Sequence, residues 1–321
     1  MQSRAEGLRP WLAAALVLAL LLLAAAPALL NVYWLRVLST VFMYAVIAQG
    51  INLMAGYTGY PAFGNVVYFG LGGYATAVLM VKGGWSFAAA AAAGTALCPL
   101  LALLVGPPLL RLRGHYFAIA TLGLNEAVKE VVLNLPSLTG GGMGLSLPIP
   151  PGGPVVNAQR FYYMFLAAML VATWVTWQFS RRRVGLGCMA IRDNEAKAEA
   201  SGLHTTRHKT IAWMLSAAMT GAVGSMNAWW LTYIDAPGMF DMAIAVKAFV
   251  ILLLGGAGTV LGPVGGAFFV EGLANLTWSH LLNWHLGAMG LVIIVVVMVF
   301  PGGFRARTLL SMGRRAAPRR L

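Results

Sequence analysis

Long runs without charge constrain this chain more than any other feature. The stretch "PWLAAALVLALLLLAAAPALL" (10–30) carries no ionisable side chain, and similar runs recur along the sequence. The 321 residues include only 22 Lys/Arg and 9 Asp/Glu, and 60% are hydrophobic. A soluble domain carries about 25% charged residues, so this balance points to a lipid environment. Lipid cannot hydrogen-bond a peptide group, so the runs must be helices or a closed barrel. They are Leu/Ala/Val-rich without period-two alternation, which excludes the barrel. The expected fold is an all-α polytopic membrane protein with about ten transmembrane helices (8–10), a single integral-membrane domain over 1–321. Spans fall near 11–30, 36–54, 64–81, 86–109, 115–135, 159–180, 210–232, 243–261, 263–281 and 287–304. The first run exceeds the 7–15-residue core of a signal peptide and reads as a retained span. The glycine-rich 243–281 region fits either two crossings or a re-entrant pair.

Basic residues orient the spans. With both termini cytoplasmic, 17 of the 22 Lys/Arg fall on the inner side, 3 on the outer side (Arg36, Lys82, Arg160) and 2 within spans (Lys129, Lys247). The net charge of +13 is therefore a topology signal. It does not point to nucleic acid. The basic cytoplasmic tail, 305–321, suits anionic lipid headgroups. "GLGG" (70–73) and "LGGA" (254–257) lie at comparable places in the two halves, a weak sign of an internal repeat. Cys98 and Cys188 form no CxxC pattern and read as reduced thiols. His280 and His285, five apart, do not share a helix face, and no metal site is expected.

Two loops stand out. The outer loop 136–158 is Gly/Pro-rich and contains Thr139, Gly140, Gly141 and Gly142. The inner loop 181–209 holds ten charged residues in 29 positions. Within it, "IRDNEAKAEASG" (191–202) reads as a short helix. Asp193 or Asn194 can cap its start and Gly202 can end it. Two turns of helix are not stable alone in water, so something must hold them. A docking helix, with an alanine face and a rim of Arg192, Asp193, Glu195, Lys197 and Glu199, and a solvated loop helix both fit.

Charges inside spans are costly, about 2.5–3.5 kcal/mol or more at the bilayer centre. Glu126, Lys129 and Glu130 share one helix face. They either line a translocation path or lock helix packing through a Lys129–Glu pair. Lys247 and Glu271 are single charges in late spans that can pair across neighbouring helices. Asp235 and Asp241 read as acids of an outer turn. No G-x-x-x-x-G-K-[ST] phosphate loop occurs, so any ATP that drives the chain binds elsewhere and no cofactor is expected on it. A self-contained ion-coupled transporter, with Glu126, Lys129 and Glu271 as a relay, is the other transport reading. It leaves the charged inner helix without a role. An integral-membrane enzyme lacks a catalytic set.

The stretch "RDNEAKAEASGLHTTRHKTIAWMLSAAMTGAVGSM" resembles the cytoplasmic loop and following span of LivM-type permeases, in the branched-chain amino acid ABC-transporter family. "RLRGHYFAIATLGLNEAVKEV" (111–131), "LTGGGMGL" (138–145) and "LLGGAGTVLGPVGGAFF" (253–269) are similar to further family elements, in the same order. The resemblance covers about 40–300. It implies a permease subunit of the bacterial or archaeal cytoplasmic membrane, importing branched-chain or related amino acids by alternating access. It also implies cytoplasmic ATP-binding subunits, a second homologous permease and an extracytoplasmic solute-binding protein as partners. In that frame Arg192, Asp193, Asn194, Glu195, Lys197, Glu199 and Gly202 form the ATPase-coupling helix. Thr139–Gly142 is the outer receptor contact. One departure is "YPAFGN" (60–65), where Pro61 and Asn65 replace expected residues. It leaves a permease for urea or short amides as the alternative.

Overall fold

The structure, a computed structural model, describes residues 21–112 and 114–280, without the side chains of 276–280. The expected span 287–304, the tail 305–321, the first half of the span 11–30, Arg113 and His285 lie outside these residues. Residues 21–29 are helical. Ten helices follow, apart from single short turns. They are α1 (Val32–Ile51), α2 (Val66–Val81), α3 (Phe87–Leu109), α4 (His115–Leu133), α5 (Pro154–Arg181), α6 (Arg183–Asp193), α7 (Glu195–Ala200), α8 (Thr205–Leu231), α9 (Met242–Gly255) and α10 (Gly262–His280). Among the described residues the only sheet is a two-stranded antiparallel ribbon, β1 (Leu145–Ser146) with β2 (Tyr233–Ile234).

Eight of the expected spans, from 36–54 to 263–281, coincide with long helices. Among the described residues five segments are long and apolar enough to cross a membrane: Val32–Gly56, Phe63–Val81, Phe87–Leu109, Pro154–Arg181 and Ala236–Gly255. Helices α4, α8 and α10 are as long as the α2 segment but more polar. The 243–281 region resolves into two helices joined by a six-residue turn, 256–261. Helix α10 runs antiparallel to α1 along its length. Gln49 Nε2 donates to Val260 O (2.6 Å) at one end, and Tyr33 OH to Asn275 Oδ1 (2.7 Å) at the other. Nineteen residues at 1.5 Å each make α10 about 28 Å long, close to the hydrocarbon thickness. The two glycine stretches are not equivalent: 70–73 lies inside α2, whereas 254–257 ends α9 and starts the turn.

The chain does break, at a place the hydropathy pattern concealed. Helix α1 loosens into a π-helical turn at Asn52–Gly56, residues 58–62 are non-helical, and a 3₁₀ turn at Phe63–Asn65 starts the next helix. Asn52 bridges the break to the 256–261 turn, accepting from Gly258 N and donating to Thr259 O, both at 2.8 Å.

Packing inverts the pattern of a water-soluble bundle. On α3 the buried positions are Ala90, Gly94, Cys98, Ala102 and Gly106, four apart, while Leu97, Leu100, Leu103 and Leu104 face outward. Small residues let backbones approach, which is how helices associate where lipid competes for apolar contact. Helices α2 and α8 approach closely in this way. A Cβ on Gly224 would collide with Phe69 O, and one on Gly72 with Gly221 O. Gly224→Val should therefore cost about 1–3 kcal/mol or more by overpacking, seen as a lower thermal midpoint and a smaller monodisperse peak in detergent. Gly265→Ala, where an added Cβ meets nothing within 4 Å, should leave both unchanged.

Candidate coupling and translocation sites

At the end of the bundle that carries Arg181–Arg183, α6 and α7 form a bent pair beside α8. Helix α6 lies close to its neighbours because Gly185 sits against Phe179 O and Gly187 against the His208 ring. Cys188 and Ile191 face inward. Burial pushes the Cys188 thiol up to about 12, so at neutral pH it stays protonated and inert. Asn194, in an extended conformation, stops α6 and caps α7, its Oδ1 accepting from Lys197 N at 3.0 Å. The other end of α7 closes as a Schellman motif. Leu203 N donates to Ala198 O (3.2 Å) and Gly202 N to Glu199 O (2.9 Å), with Gly202 in the left-handed region at φ +82°. Of the two possible caps Asn194 takes the role, and Asp193 instead ends α6.

The expected rim of charges divides. Asp193, Lys197 and Glu199 are exposed, as are Ala196 and Ala200, whereas Ala198 is buried against the chain itself. Arg192 reaches across to the break after α1, donating from Nη1 to Gly56 O at 2.7 Å. Glu195 is turned inward and only 15% exposed. Its Oε1 lies 2.7 Å from Lys209 Nζ, and its Oε2 accepts from Tyr60 OH at 2.6 Å.

Lys209 reads from the sequence as the last charge of a solvated loop. It is instead 2% exposed, in the second turn of α8. Its ammonium donates to Glu195, to Tyr60 OH (3.0 Å) and to Leu110 O (3.1 Å), and lies 4.4 Å from the Tyr60 ring centroid. Leu110 is the C-cap of α3. A buried cation thus meets the negative end of a helix and a carboxylate together. Removing either member of such a pair leaves an uncompensated charge, at a cost of about 3–5 kcal/mol. Neither Lys209 nor Tyr60 was legible as a partner of Glu195. The one available signal was spacing, since Lys209 lies one helical turn inside a segment whose core face carries no other charge.

Tyr60 belongs to the non-helical stretch 58–62. Five residues on, Asn65 is buried halfway along α8, its Nδ2 donating to Thr220 Oγ1 (2.8 Å) and its Oδ1 accepting from Ser216 Oγ (3.1 Å). The departure noted in "YPAFGN" is therefore a polar knot at mid-bundle.

On α4, Glu126 and Lys129 form an ion pair within the one helix. The pair does not face the chain's own core: Glu126 is 54% exposed, and Glu130 is also exposed, with Asn134 Nδ2 3.3 Å from its Oε2. Tyr116, Ile119 and Gly123 continue the same open stripe. Lys247 and Glu271 do pair across α9 and α10, at 2.6 Å, with the Lys247 ammonium 4.3 Å from the Tyr44 ring centroid of α1. The three residues of the ion-relay reading thus sit in two separate ion pairs.

At the opposite end, the loop 136–158 is tied to the turn after α8. The ribbon β1–β2 joins them, Tyr233 OH donates to Met143 O, and Trp229 Nε1 donates to Pro148 O, both at 3.0 Å. Thr139 and Gly141 do not present themselves to a partner. Thr139 is buried and donates to Val132 O (2.5 Å) and Leu135 O (2.8 Å), while Gly141 is buried beneath it. The open surface here is Gly142, Met143 (87% exposed) and Ile149, with Gly140 half-buried. Asp241 caps α9 by accepting from Ala243 N at 2.9 Å. Among the described residues no cluster of three His, Cys, Asp or Glu could hold a metal.

The chain is similar in sequence to known transport proteins. LivM of Salmonella typhimurium, a high-affinity branched-chain amino acid transport system permease protein, is 28% identical over 243 residues, covering 68% of this chain and 57% of that protein. LivM of Escherichia coli is 27% identical over 281 residues, 79% of this chain and 66% of the relative. The chain thus spans less than two thirds of the length of either. LivH of Escherichia coli is 24% identical over 287 residues, 82% of this chain and 91% of LivH. No solved structure matches. Residues 33–300 match the model of the branched-chain amino acid transport system permease component, and the chain belongs to that family of membrane permeases.

Proposed function

We propose that the chain is the membrane-embedded permease subunit of an ATP-driven importer for branched-chain or related amino acids, with about ten crossings and both termini in the cytoplasm. Its carrying observation is the capped helix α7, which stands at the basic end and shows Ala196, Lys197, Glu199 and Ala200 to solvent. Six residues do not hold a helix alone; the caps and the inward anchors Arg192 and Glu195 fix α7 so that its outer face is presented to a partner. Asp193, Asn194, Lys197, Glu199 and Gly202 then shape the element that a cytoplasmic ATP-binding subunit grips, with Arg192 and Glu195 anchoring it from below. The 17-to-3 distribution of Lys/Arg supports placing this end inside. ATP is bound by those partner subunits. A solute-binding protein docks at the far end on Gly140, Gly142, Met143 and Ile149.

The open face of α4 supports the transport path. Charges facing hydrocarbon are costly, so Glu126, Lys129 and Glu130 face a second, homologous permease subunit and the aqueous path between the two chains. There they meet the ammonium and carboxylate of the solute. One observation favours a second substrate reading, a small amide such as urea: Asn65 at mid-bundle, in a segment that departs from the family pattern. LsrC of Klebsiella pneumoniae, 28% identical over 209 residues, 62% of this chain and 58% of that protein, is named as an autoinducer 2 import permease, so permeases named for other solutes lie among the relatives. Competition of labelled leucine uptake by urea or acetamide separates the two.

Reversing the exposed charges of α7 (Lys197→Glu with Glu199→Lys) should lower co-purification of the ATP-binding subunits at least tenfold and leave the permease folded, because both side chains are exposed and neither has a side-chain partner among the described residues. Unchanged association would remove α7 from the interface. Glu126→Gln should lower solute uptake at least tenfold at normal expression, measured as ATP-driven accumulation in liposomes. Uptake at the unmodified level would take Glu126 off the path.

A further inference from the structure

Beneath the exposed rim, the structure joins α7 to the broken region between α1 and α2 by two polar ties. Arg192 holds Gly56 O, and its Nη1 also lies beside Gly258, in the turn before α10. Glu195 holds Tyr60 directly and, through Lys209, the first turns of α8 and the end of α3. Tyr60 is the hub of the second tie. Its hydroxyl donates to Glu195 and accepts from Lys209, and its ring packs edge-on to Phe117 of α4 at 5.2 Å.

Residues 57–65 are thus fixed at both ends and non-helical or tightly turned between. One end is the Tyr60–Glu195–Lys209 triad and the other is Asn65 on Thr220 and Ser216. Between them Gly64 packs so closely on α4 that a Cβ would run into Thr121 O, and Gly64 N donates to Thr121 Oγ1 at 3.2 Å. A segment without a continuous helical ladder, pinned at its two ends, moves when either end is displaced.

We propose that Tyr60, Glu195 and Lys209 are positioning residues that convert displacement of α7 into displacement of residues 57–65, and so of Asn65 at mid-bundle. The joint rests on the reading of α7 as the element gripped by ATP-binding subunits. It adds which residues carry the motion inward and where the motion arrives. Glu195, turned into the bundle, serves this joint rather than the surface that the ATP-binding subunit touches.

Tyr60→Phe tests it in the full complex with ATP-binding subunits and solute-binding protein, because it removes one hydroxyl and keeps the ring against Phe117. Expected are unchanged co-purification, continued ATP hydrolysis, and at least a fivefold drop in solute moved per ATP in liposomes. Lys209→Arg, which keeps a cation against Glu195, Tyr60 and Leu110 O, should recover at least half of the transport per ATP lost in Lys209→Gln. Transport per ATP within twofold of the unmodified complex in Tyr60→Phe would overturn the joint alone. So would a Lys209→Arg variant no better than Lys209→Gln at equal expression. Absence of ATP-driven uptake in the unmodified complex would instead overturn the functional reading, and the joint with it.

Discussion

A peptide group that cannot reach water must find its partner within the chain, and in this bundle that demand governs more than the helices. Inside a helix the ladder meets it. Where a helix stops short of the membrane surface, side chains meet it instead. The carbonyl at the end of the first broken helix takes the Arg192 guanidinium, and that at the end of α3 takes the Lys209 ammonium. The turn between α9 and α10 is held by Gln49 and Asn52 from α1. Each of these is a polar side chain placed at a backbone break, with Gln49, Asn52 and Lys209 buried and Arg192 partly exposed. Two of them are cations at helix C-termini, where the helix dipole favours positive charge.

The same rule gathers the working parts. Breaks in the ladder are the places where a packed bundle can change shape, and the polar residues that close those breaks become the handles. Arg192 and Glu195 bracket the start of α7, so the most exposed element of the basic end is also the one bonded most directly to the break at 52–65. At the other end the ribbon β1–β2 and Trp229 hold the long loop over α8. Its one non-glycine residue at positive φ, among the described residues, is Thr232 (φ 61°), which ends α8 and turns the chain into β2.

Much of this was legible in the residues. The helices follow from apolar runs, their order from turn residues, and the α7 helix from Asn194, its alanines and Gly202. The family was legible because its motifs lie in loops and helix starts, where side-chain identity is set by specific bonds. Less of the candidate site was legible. Thr139 and Gly141 look like an accessible loop and are buried, because the hydroxyl of Thr139 closes the turn after α4. Glu195 looks like part of a solvated rim and faces inward, because its partners lie 14 and 135 residues away in sequence. The break at 57–65 hid inside a stretch apolar enough to pass for a simple span boundary.

What the sequence by itself determined is the set of helices and the side of the bundle on which the basic residues lie. Those depend on local hydropathy and on charges that lipid excludes, both of which are properties of a stretch taken alone. Tertiary structure decided which charges are handles and which are surface. It set Lys247 of α9 against Glu271 of α10 and Glu195 against Lys209 and Tyr60, whereas Glu126 and Lys129 pair locally, three apart on one helix. A charge in a low-dielectric bundle is tolerated only beside its partner, and only the packing of distant helices says which partner is near.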